Sequence, residues 1–178
     1  MIVFVSGGVR SGKSGLAEQH VLEAAKDTTC YYIATATVFD AEMAERVERH
    51  KACRDTQWIT LEAPVALDHA ITQVPDGQAV LLDCLTLWAS QVLYSAELSE
   101  AEGLALFKRS LEDAHSRGLH LVIVSNDLNE DILPPNPETR RYVAFLQCLH
   151  RWLAVKADSV LEVVAGHAIE WKLDGKPV

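Results

Sequence analysis

The apolar positions of this chain fall into short runs separated by longer segments of helical period. Ile2–Val5 and Ala79–Leu82 contain only apolar residues, and Leu119–Val124 is apolar except for His120. A half-exposed strand would alternate apolar and polar residues, so these runs predict strands that are buried on both faces, as in a parallel sheet. We expect these strands to form the core.

Strand-like and helix-like segments alternate along the rest of the chain. The further predicted strands are Thr29–Ala36, Gln57–Leu61, Asp158–Val164 and a closing hairpin strand, Ala168–Leu173. The predicted helices are Gly15–Lys26, Asp40–Arg54, Pro64–Thr72, Ser99–Arg117 and Glu138–Lys156. This alternation is typical of an α/β fold, a mostly parallel sheet with helices on both faces and ligands at the carboxyl ends of the strands. The length of 178 residues fits one domain, residues 1–178.

A glycine-rich turn joins the first strand to the first helix. Its sequence, Gly-Gly-Val-Arg-Ser-Gly-Lys-Ser at 7–14, matches the pattern G-x-x-x-x-G-K-S. The N–H groups of such a turn point inward, and the following helix adds the positive end of its dipole. Lys13 then reaches the β and γ phosphates, and Ser14 binds the Mg²⁺ that bridges them. The turn predicts a P-loop NTPase fold of RecA-like type that binds ATP or GTP through Gly7, Gly8, Val9, Arg10, Ser11, Gly12, Lys13 and Ser14.

Composition restricts the partners of this site. Acidic residues outnumber basic ones by 25 to 16, and the formal net charge of −9 argues against a nucleic-acid or anionic-membrane surface. The four cysteines lack the paired spacing of a zinc ribbon or a disulfide framework. The longest apolar stretch, Ala79–Ala89, is interrupted by Asp83, so we predict no membrane span. We expect a cytoplasmic protein that acts on small molecules.

Asp83 ends the apolar strand that begins at Ala79. An acidic residue at the end of a buried strand is common, but in P-loop proteins this position holds the second residue directed at magnesium. The carboxylate of Asp83 and the hydroxyl of Ser14 therefore form the predicted metal site.

The predicted helix Asp40–Arg54 carries a histidine between two arginines. Arg46, His50 and Arg54 stand one turn apart on one face. Like charges disfavour the imidazolium form and leave a ring nitrogen available as a nucleophile, whereas the nearby helix C-terminus acts in the opposite direction. The arginines also suit phosphate. From these residues alone, a solvated surface histidine is the alternative.

Taken together, these features resemble one family, the bifunctional adenosylcobinamide kinases and adenosylcobinamide-phosphate guanylyltransferases of cobalamin biosynthesis. The similarity spans nearly the full length of the chain. It is carried by Gly-Gly-x-Arg-Ser-Gly-Lys-Ser at 7–14, Tyr-Ile-Ala-Thr at 32–35, the spaced Arg46, His50, Arg54, Trp58 and Glu62, and the positions of Asn126 and Pro134.

The resemblance implies a transferase with two reactions at one P-loop. Cobinamide is phosphorylated with ATP or GTP, and the histidine matching His50 then takes GMP from GTP as a phosphoramidate and passes it to cobinamide phosphate. His50 and Lys13 are thus the implied catalytic residues, and a corrinoid and a nucleotide are the implied substrates. Further nucleotide contacts are expected at Ala34, Thr35, Ala36, Lys51, Ala52, Cys53, Arg54, Glu62 and Asp83.

A homotrimer is also implied, since the family assembles as one. The segment Leu85–Tyr94 supports an oligomer independently, because Leu87, Trp88, Val92 and Leu93 offer more apolar surface than one small sheet need cover.

The chain departs from the family's pattern after Asn126. Where the family has Asn-Glu-Val-Gly-x-Gly-Ile-Val-Pro, residues 126–134 read Asn-Asp-Leu-Asn-Glu-Asp-Ile-Leu-Pro and lack both glycines. In the helix that follows, the family's Asp, Gly and Asn fall at Ala144, Gln147 and His150. Two alternatives stay open: a relative with one activity or another acceptor, and a P-loop module that binds nucleotide without catalysing either reaction.

Overall fold

The computed structural model describes residues 1–26, 28–36, 57–128 and 135–178. The strands in these ranges are β1 (Ile2–Gly7), β2 (Cys30–Ala34), β3 (Trp58–Glu62), β4 (Ala79–Asp83), β5 (His120–Asn126), β6 (Ser159–Val164), β7 (His167–Leu173) and β8 (Lys176–Pro177). The helices are α1 (Lys13–Ala25), α2 (Leu67–Thr72), α3 (Leu85–Tyr94), α4 (Glu100–Ser116) and α5 (Pro137–Lys156).

All eight strands belong to one sheet, in the order β3-β2-β4-β5-β1-β6-β7-β8. Strands β1 to β6 run parallel, and β7 and β8 close one edge as antiparallel strands. At the end of β1, Gly7 lies opposite Asn126 of β5 and Val163 of β6. The P-loop therefore leaves the middle of the sheet with a strand end on either side.

The sheet is covered on both faces, as predicted for an α/β fold. Val3 and Val5 of β1 pack on the side that carries Ala17 and Val21 of α1. The other face, which includes Phe4, packs against helices α2 to α5. Each central strand thus buries side chains in both directions, which is why its sequence is continuously apolar.

The ends of two helices follow local capping rules. Ser99 caps α4 as predicted: its hydroxyl accepts a hydrogen bond from the N–H of Glu102 (3.3 Å), and the Glu102 carboxylate accepts one from the N–H of Ser99 (2.9 Å). Helix α5 begins with Pro137 at its first position, and the side chain of Asn136 caps it.

Helix α2 begins three residues later than the predicted start at Pro64. The carbonyl of Val65 accepts hydrogen bonds from the indole N–H of Trp88 (2.9 Å) and from the N–H of Leu67 (2.8 Å). Trp88, more than 20 positions away in the sequence, therefore holds the chain before Leu67 in a tight turn. The helix starts only after this turn.

The segment Leu85–Tyr94 forms helix α3, and most of its apolar surface is buried within the chain. Trp88 and Val92 are fully buried and Leu93 is 3% exposed, whereas Leu87 is 37% exposed. The interpretation of this segment as surplus apolar surface is wrong, because the sheet and the neighbouring helices cover it. In the described ranges, no helix has both the length and the apolar character to span a membrane.

Candidate active site

The P-loop begins at Gly7, a position where the fold leaves no room for a side chain. Gly7 has φ of 155°, and a Cβ there would lie 2.6 Å from the carbonyl oxygen of Val163 and 2.7 Å from the Oγ of Ser11. The contact with the backbone oxygen of Val163 is too short for any side chain at this position. The turn can therefore lie directly against the end of β6.

The N-terminus of α1 is left open toward the P-loop. Its N-cap, Gly12, has φ of 94° and makes no side-chain cap, and no acidic residue lies in the first turn. The first N–H groups of a helix have no intrahelical partner, and the helix dipole adds partial positive charge at the same place. This end of the helix is thus suited to a phosphate group.

Lys13 folds back over the same turn. The residue is only 8% exposed, and its Nζ donates a hydrogen bond to the carbonyl oxygen of Gly8 (3.0 Å). The ammonium group is thereby held inside the P-loop rather than extended into solvent. A cation in this position, beside the positive end of a helix dipole, favours the binding of an anionic ligand.

Both neighbours of β1 hold the P-loop in place. The N–H of Asp127, just after β5, donates to the carbonyl of Gly7 (3.0 Å), and the N–H of Gly166, in the turn after β6, donates to the carbonyl of Ser11 (2.8 Å). The loop is therefore ordered before a ligand binds, and the conformational-entropy cost of binding is smaller.

Asp83 ends β4 on the face of the sheet that α1 covers. Ala79 and Leu81 pack on that face, and Asp83 follows in the same alternation. The hydroxyl of Tyr32 donates to Asp83 Oδ2 (2.7 Å) and orients the carboxylate. Sequence reasoning missed Tyr32, although its place two residues before the end of a neighbouring strand was a usable signal.

The donor set at this edge fits magnesium. In the described ranges, no three His, Cys, Asp or Glu side chains form a metal cage. Mg²⁺ is commonly held by one or two protein oxygens together with phosphate and water. One carboxylate, from Asp83, and one hydroxyl, from Ser14 at the start of α1, are consistent with that requirement.

A buried polar network that the sequence did not predict lies under the same edge of the sheet. His150 Nε2 is 2.8 Å from Ser125 Oγ, which is 3.1 Å from Thr86 Oγ1. Thr86 Oγ1 also accepts a hydrogen bond from the N–H of Asn126 (2.9 Å). The network ties α5 and α3 to the end of β5, so it supports the residues beside the P-loop.

Burial lowers the pKa of His150 to about 4, although the negative charge of Asp127 acts in the opposite direction.

Comparison with known proteins decides the family. The sequence profile of the CobU family, described as cobinamide kinase / cobinamide phosphate guanyltransferase, matches residues 3–171. The chain belongs to this family. Similar relatives are the bifunctional adenosylcobalamin biosynthesis proteins CobP of Pseudomonas aeruginosa, 35% identical over 98% of each chain, and CobU of Salmonella typhimurium, 32% identical over 97% of this chain and 100% of the relative. The resemblance inferred from the P-loop and the histidine spacing is confirmed.

A solved structure supports the fold alone. The flagellar accessory protein FlaH from Methanocaldococcus jannaschii matches 97% of this chain and 78% of its own with a TM-score of 0.52, at 11% sequence identity. The predicted α/β P-loop architecture is thus shared by a protein of very different sequence.

Some of the nucleotide contacts predicted for a member of this family lie away from the P-loop. Glu62 is exposed at the end of the edge strand β3, four strand spacings of about 4.8 Å, or roughly 19 Å, from β1. Ala34 and Ala36 are half-buried at the end of β2, one strand nearer. Thr35 is fully buried, and its hydroxyl is hydrogen-bonded to the backbone of Cys84. The side chain therefore joins the end of β2 to the end of β4.

The remaining predicted residues lie outside the described ranges. These are His50, Lys51, Ala52, Cys53 and Arg54, together with the rest of the predicted helix Asp40–Arg54. The structure therefore brings together the predicted P-loop residues at the end of β1, whereas the predicted histidine lies outside the described ranges.

Proposed function

We propose that this chain catalyses both reactions of its family, phosphorylation of adenosylcobinamide and guanylylation of the resulting phosphate. The observation that carries the proposal is the P-loop itself, with an open helix N-terminus and the ammonium of Lys13 held inside the turn. Membership of the family over residues 3–171 supplies the substrate class, a corrinoid and a nucleotide.

In the first reaction, the P-loop positions a nucleoside triphosphate. The N–H groups at the start of α1 and the ammonium of Lys13 bind the β and γ phosphates, where negative charge grows in the transition state. Ser14 and Asp83 are the residues that would hold Mg²⁺, which would supply positive charge to stabilise the phosphate oxygens. The corrinoid hydroxyl attacks the γ-phosphorus, the bond to the bridging oxygen breaks, and the hydroxyl proton passes to solvent.

In the second reaction, His50 serves as the nucleophile toward GTP. Its ring nitrogen forms a bond to the α-phosphorus while the bond to pyrophosphate breaks, and the imidazole releases a proton. A phosphate oxygen of the corrinoid then attacks the same phosphorus, the nitrogen–phosphorus bond breaks, and the departing imidazole takes up a proton from solvent, which restores neutral His50. Arg46 and Arg54, one turn on either side of His50 in the predicted helix, are the phosphate-binding groups for this step.

The proposal extends to the setting of the protein. We infer a single domain and a cytoplasmic enzyme that assembles as a homotrimer. The family resemblance supports the trimer, whereas helix α3 does not, because its apolar side chains are used inside the chain.

The experiment is mass spectrometry after incubation with GTP and magnesium. We expect the mass of one GMP on the peptide that contains His50, with release of pyrophosphate and with a label that is lost in mild acid but stable in alkali. His50→Ala should lose the label and keep phosphorylation of cobinamide. His115→Ala, at an exposed histidine at the end of α4, is the matched control and should be labelled normally.

An unlabelled wild-type protein, or equal labelling of His50→Ala, contradicts the assignment of the nucleophile. Phosphorylation of cobinamide without labelling would identify a relative that has kept only the kinase reaction.

A further inference from the structure

Asn126 ends β5, the strand that lies between β1 and β4 in the sheet. On one side, Asn126 is opposite Gly7, where the P-loop begins. On the other side, Val124 is opposite Asp83, so β5 continues for two residues beyond its last pair with β4. Asn126 therefore lies at the edge of the sheet between the P-loop and the predicted metal residue.

The side chain of Asn126 belongs to the face of the sheet that α1 covers. Val124 packs on that face, and side chains alternate along a strand. Ser125, between these two residues, is directed to the opposite face, because its hydroxyl is bonded to side chains of α3 and α5. Asp83 also lies on the α1 face, so Asn126 and Asp83 share one face on neighbouring strands.

The side-chain amide of Asn126 is uncommitted. The residue is half-buried, and its amide makes no hydrogen bond within the described ranges. The amide of Asn136, in contrast, accepts hydrogen bonds at the start of α5. An amide has two N–H donors and one acceptor oxygen, and a partly buried donor without a partner costs free energy. A ligand that accepts a hydrogen bond at this edge recovers that cost.

Thr86 fixes the backbone of Asn126 where β4 has already ended. The next N–H, of Asp127, donates to the carbonyl of Gly7 on the β1 side, so the N–H of Asn126 is directed to the other side. There it donates to Thr86 Oγ1 (2.9 Å). Thr86 is only 8% exposed and is itself bonded to Ser125 (3.1 Å). A side chain of α3 thus takes the place of the missing strand and holds the end of β5.

The proposed kinase reaction needs a donor at this edge. Lys13 approaches the triphosphate from β1, and Asp83 marks the other end of the proposed phosphate site on β4. The γ-phosphoryl group between them has three oxygens, and negative charge grows on these oxygens in the transition state. A preorganised N–H donor directed at such an oxygen stabilises the transition state without a proton transfer. The amide of Asn126 is a donor on the intervening strand.

We propose that Asn126 is a further catalytic residue of the kinase reaction, whose amide N–H donates a hydrogen bond to the transferred γ-phosphoryl group, and that Thr86 is its positioning residue. The inference rests on the proposed function, because it uses the P-loop and Asp83 as the two ends of the phosphate site. Asn126 forms no covalent bond and gives up no proton in this step.

Two replacements of Asn126 test the donor. Asn126→Asp keeps the size and the acceptor oxygens but loses the N–H groups, and Asn126→Leu is uncharged and of similar size. Each should lower kcat for adenosylcobinamide phosphorylation about 100-fold, as expected for the loss of a donor to the transition state. Asn126→Leu should leave the affinity for the nucleoside diphosphate unchanged, because ADP and GDP lack the γ-phosphate. Steady-state kinetics and isothermal titration calorimetry provide the two measurements.

Replacement of Thr86 tests the positioning role. Thr86→Val removes the hydroxyl and should lower kcat about 5-fold with the KM for nucleotide unchanged, whereas Thr86→Ser keeps the hydroxyl and should restore turnover. In the Asn126→Leu background, Thr86→Val should have no further effect on kcat. A role of Thr86 in stability alone would lower kcat by the same factor in both backgrounds.

Asn136→Asp is the matched control. It makes the same chemical change at an exposed asparagine, and aspartate caps a helix as well as asparagine does. This variant should retain the wild-type kcat. Circular dichroism and thermal unfolding of each variant confirm the fold.

Three results would overturn the assignment of Asn126. The first is wild-type turnover by Asn126→Leu. The second is full activity of Asn126→Asp, which would identify the amide as an acceptor for the corrinoid hydroxyl. The third is an equal loss of kcat and of diphosphate affinity in Asn126→Leu. In each case the wild-type protein still phosphorylates cobinamide and the proposed function stands. Wild-type protein that binds nucleotide without phosphorylating cobinamide would instead overturn the kinase part of the proposed function and, with it, the role of Asn126.

Discussion

Two basic side chains are buried to nearly the same extent at the carboxyl edge of the sheet, and we assign them different roles. Lys13 is 8% exposed and His150 is 7% exposed. Lys13 lies at the N-terminus of α1, and its Nζ donates a hydrogen bond to the carbonyl of Gly8 inside the P-loop. His150 is bonded to Ser125 in a network that ties two helices to β5. Burial therefore does not distinguish a basic side chain that is proposed to bind phosphate from one that supports the fold, whereas the groups that surround the side chain do.

Replacing Lys13 should produce the largest effect. Lys13→Ala removes the cation that we propose faces the transferred phosphate, and it should lower kcat for cobinamide phosphorylation by about 1,000-fold. The fold should persist, because both core clusters are built from other residues and the Lys13 ammonium is bonded to the P-loop, at the carbonyl of Gly8. Steady-state kinetics and circular dichroism measure both. Turnover close to wild type would remove Lys13 from the mechanism and weaken the contrast with His150.

Replacing His150 should change stability and its dependence on pH. Because burial lowers the pKa of His150 to about 4, the unfolded state takes up a proton near pH 6.5 and the folded state does not. The wild-type protein should therefore lose about 3 kcal/mol of unfolding free energy from this group as the pH falls from 7 to 4, and none of that loss is present above pH 7.

His150→Asn removes this titration and should flatten that part of the curve. Urea unfolding at a series of pH values measures the difference between variant and wild type. The exposed His115→Ala serves as the control and should follow the wild-type curve. Parallel curves for His150→Asn and wild type would show that the pKa of His150 does not differ between the folded and unfolded states.

Replacing Asp83 separates the metal from the phosphate. Asp83→Asn keeps the shape of the side chain and removes the negative charge, so it should lower magnesium-dependent turnover about 30-fold while leaving nucleotide binding in metal-free buffer unchanged. Magnesium titrations of the kinase reaction provide the measurement. An equal loss of binding with and without magnesium would argue for a direct contact between Asp83 and the nucleotide.

Replacing Tyr32 should have the smallest effect. Tyr32→Phe removes the hydroxyl that orients Asp83 (2.7 Å) and should lower kcat about 3-fold through the carboxylate. Combining Tyr32→Phe with Asp83→Asn sharpens the assignment, because the second change should make the first one silent. Additive losses would indicate that Tyr32 acts independently of Asp83.

The strand, turn and helix of the P-loop were predictable because they are adjacent in the sequence. Strand β1, the turn and α1 follow one another within 25 residues, so the motif carries its own structural context. The parallel strands were predictable for a related reason, since burial on both faces leaves a continuous apolar run in each.

The features that the sequence did not predict depend on contacts between distant residues. The delayed start of α2 depends on Trp88 reaching Val65, and the network of His150 requires α5 to lie over the end of β5. The hydrogen bond between the indole of Trp171 and the carboxylate of Glu162 depends on the bulged pairing of β6 with β7. None of these residues belongs to a local motif, so only the topology brings them together.

The steric requirement at Gly7 bears on how the motif is interpreted in distant relatives. A side chain at this position would collide with the backbone of Val163 whether or not a nucleotide is bound. A descendant that had lost both reactions would still keep this glycine for as long as it kept the sheet. The fold imposes no comparable steric requirement on Lys13. Replacement of this lysine in a relative is therefore the better indication that catalytic activity has been lost.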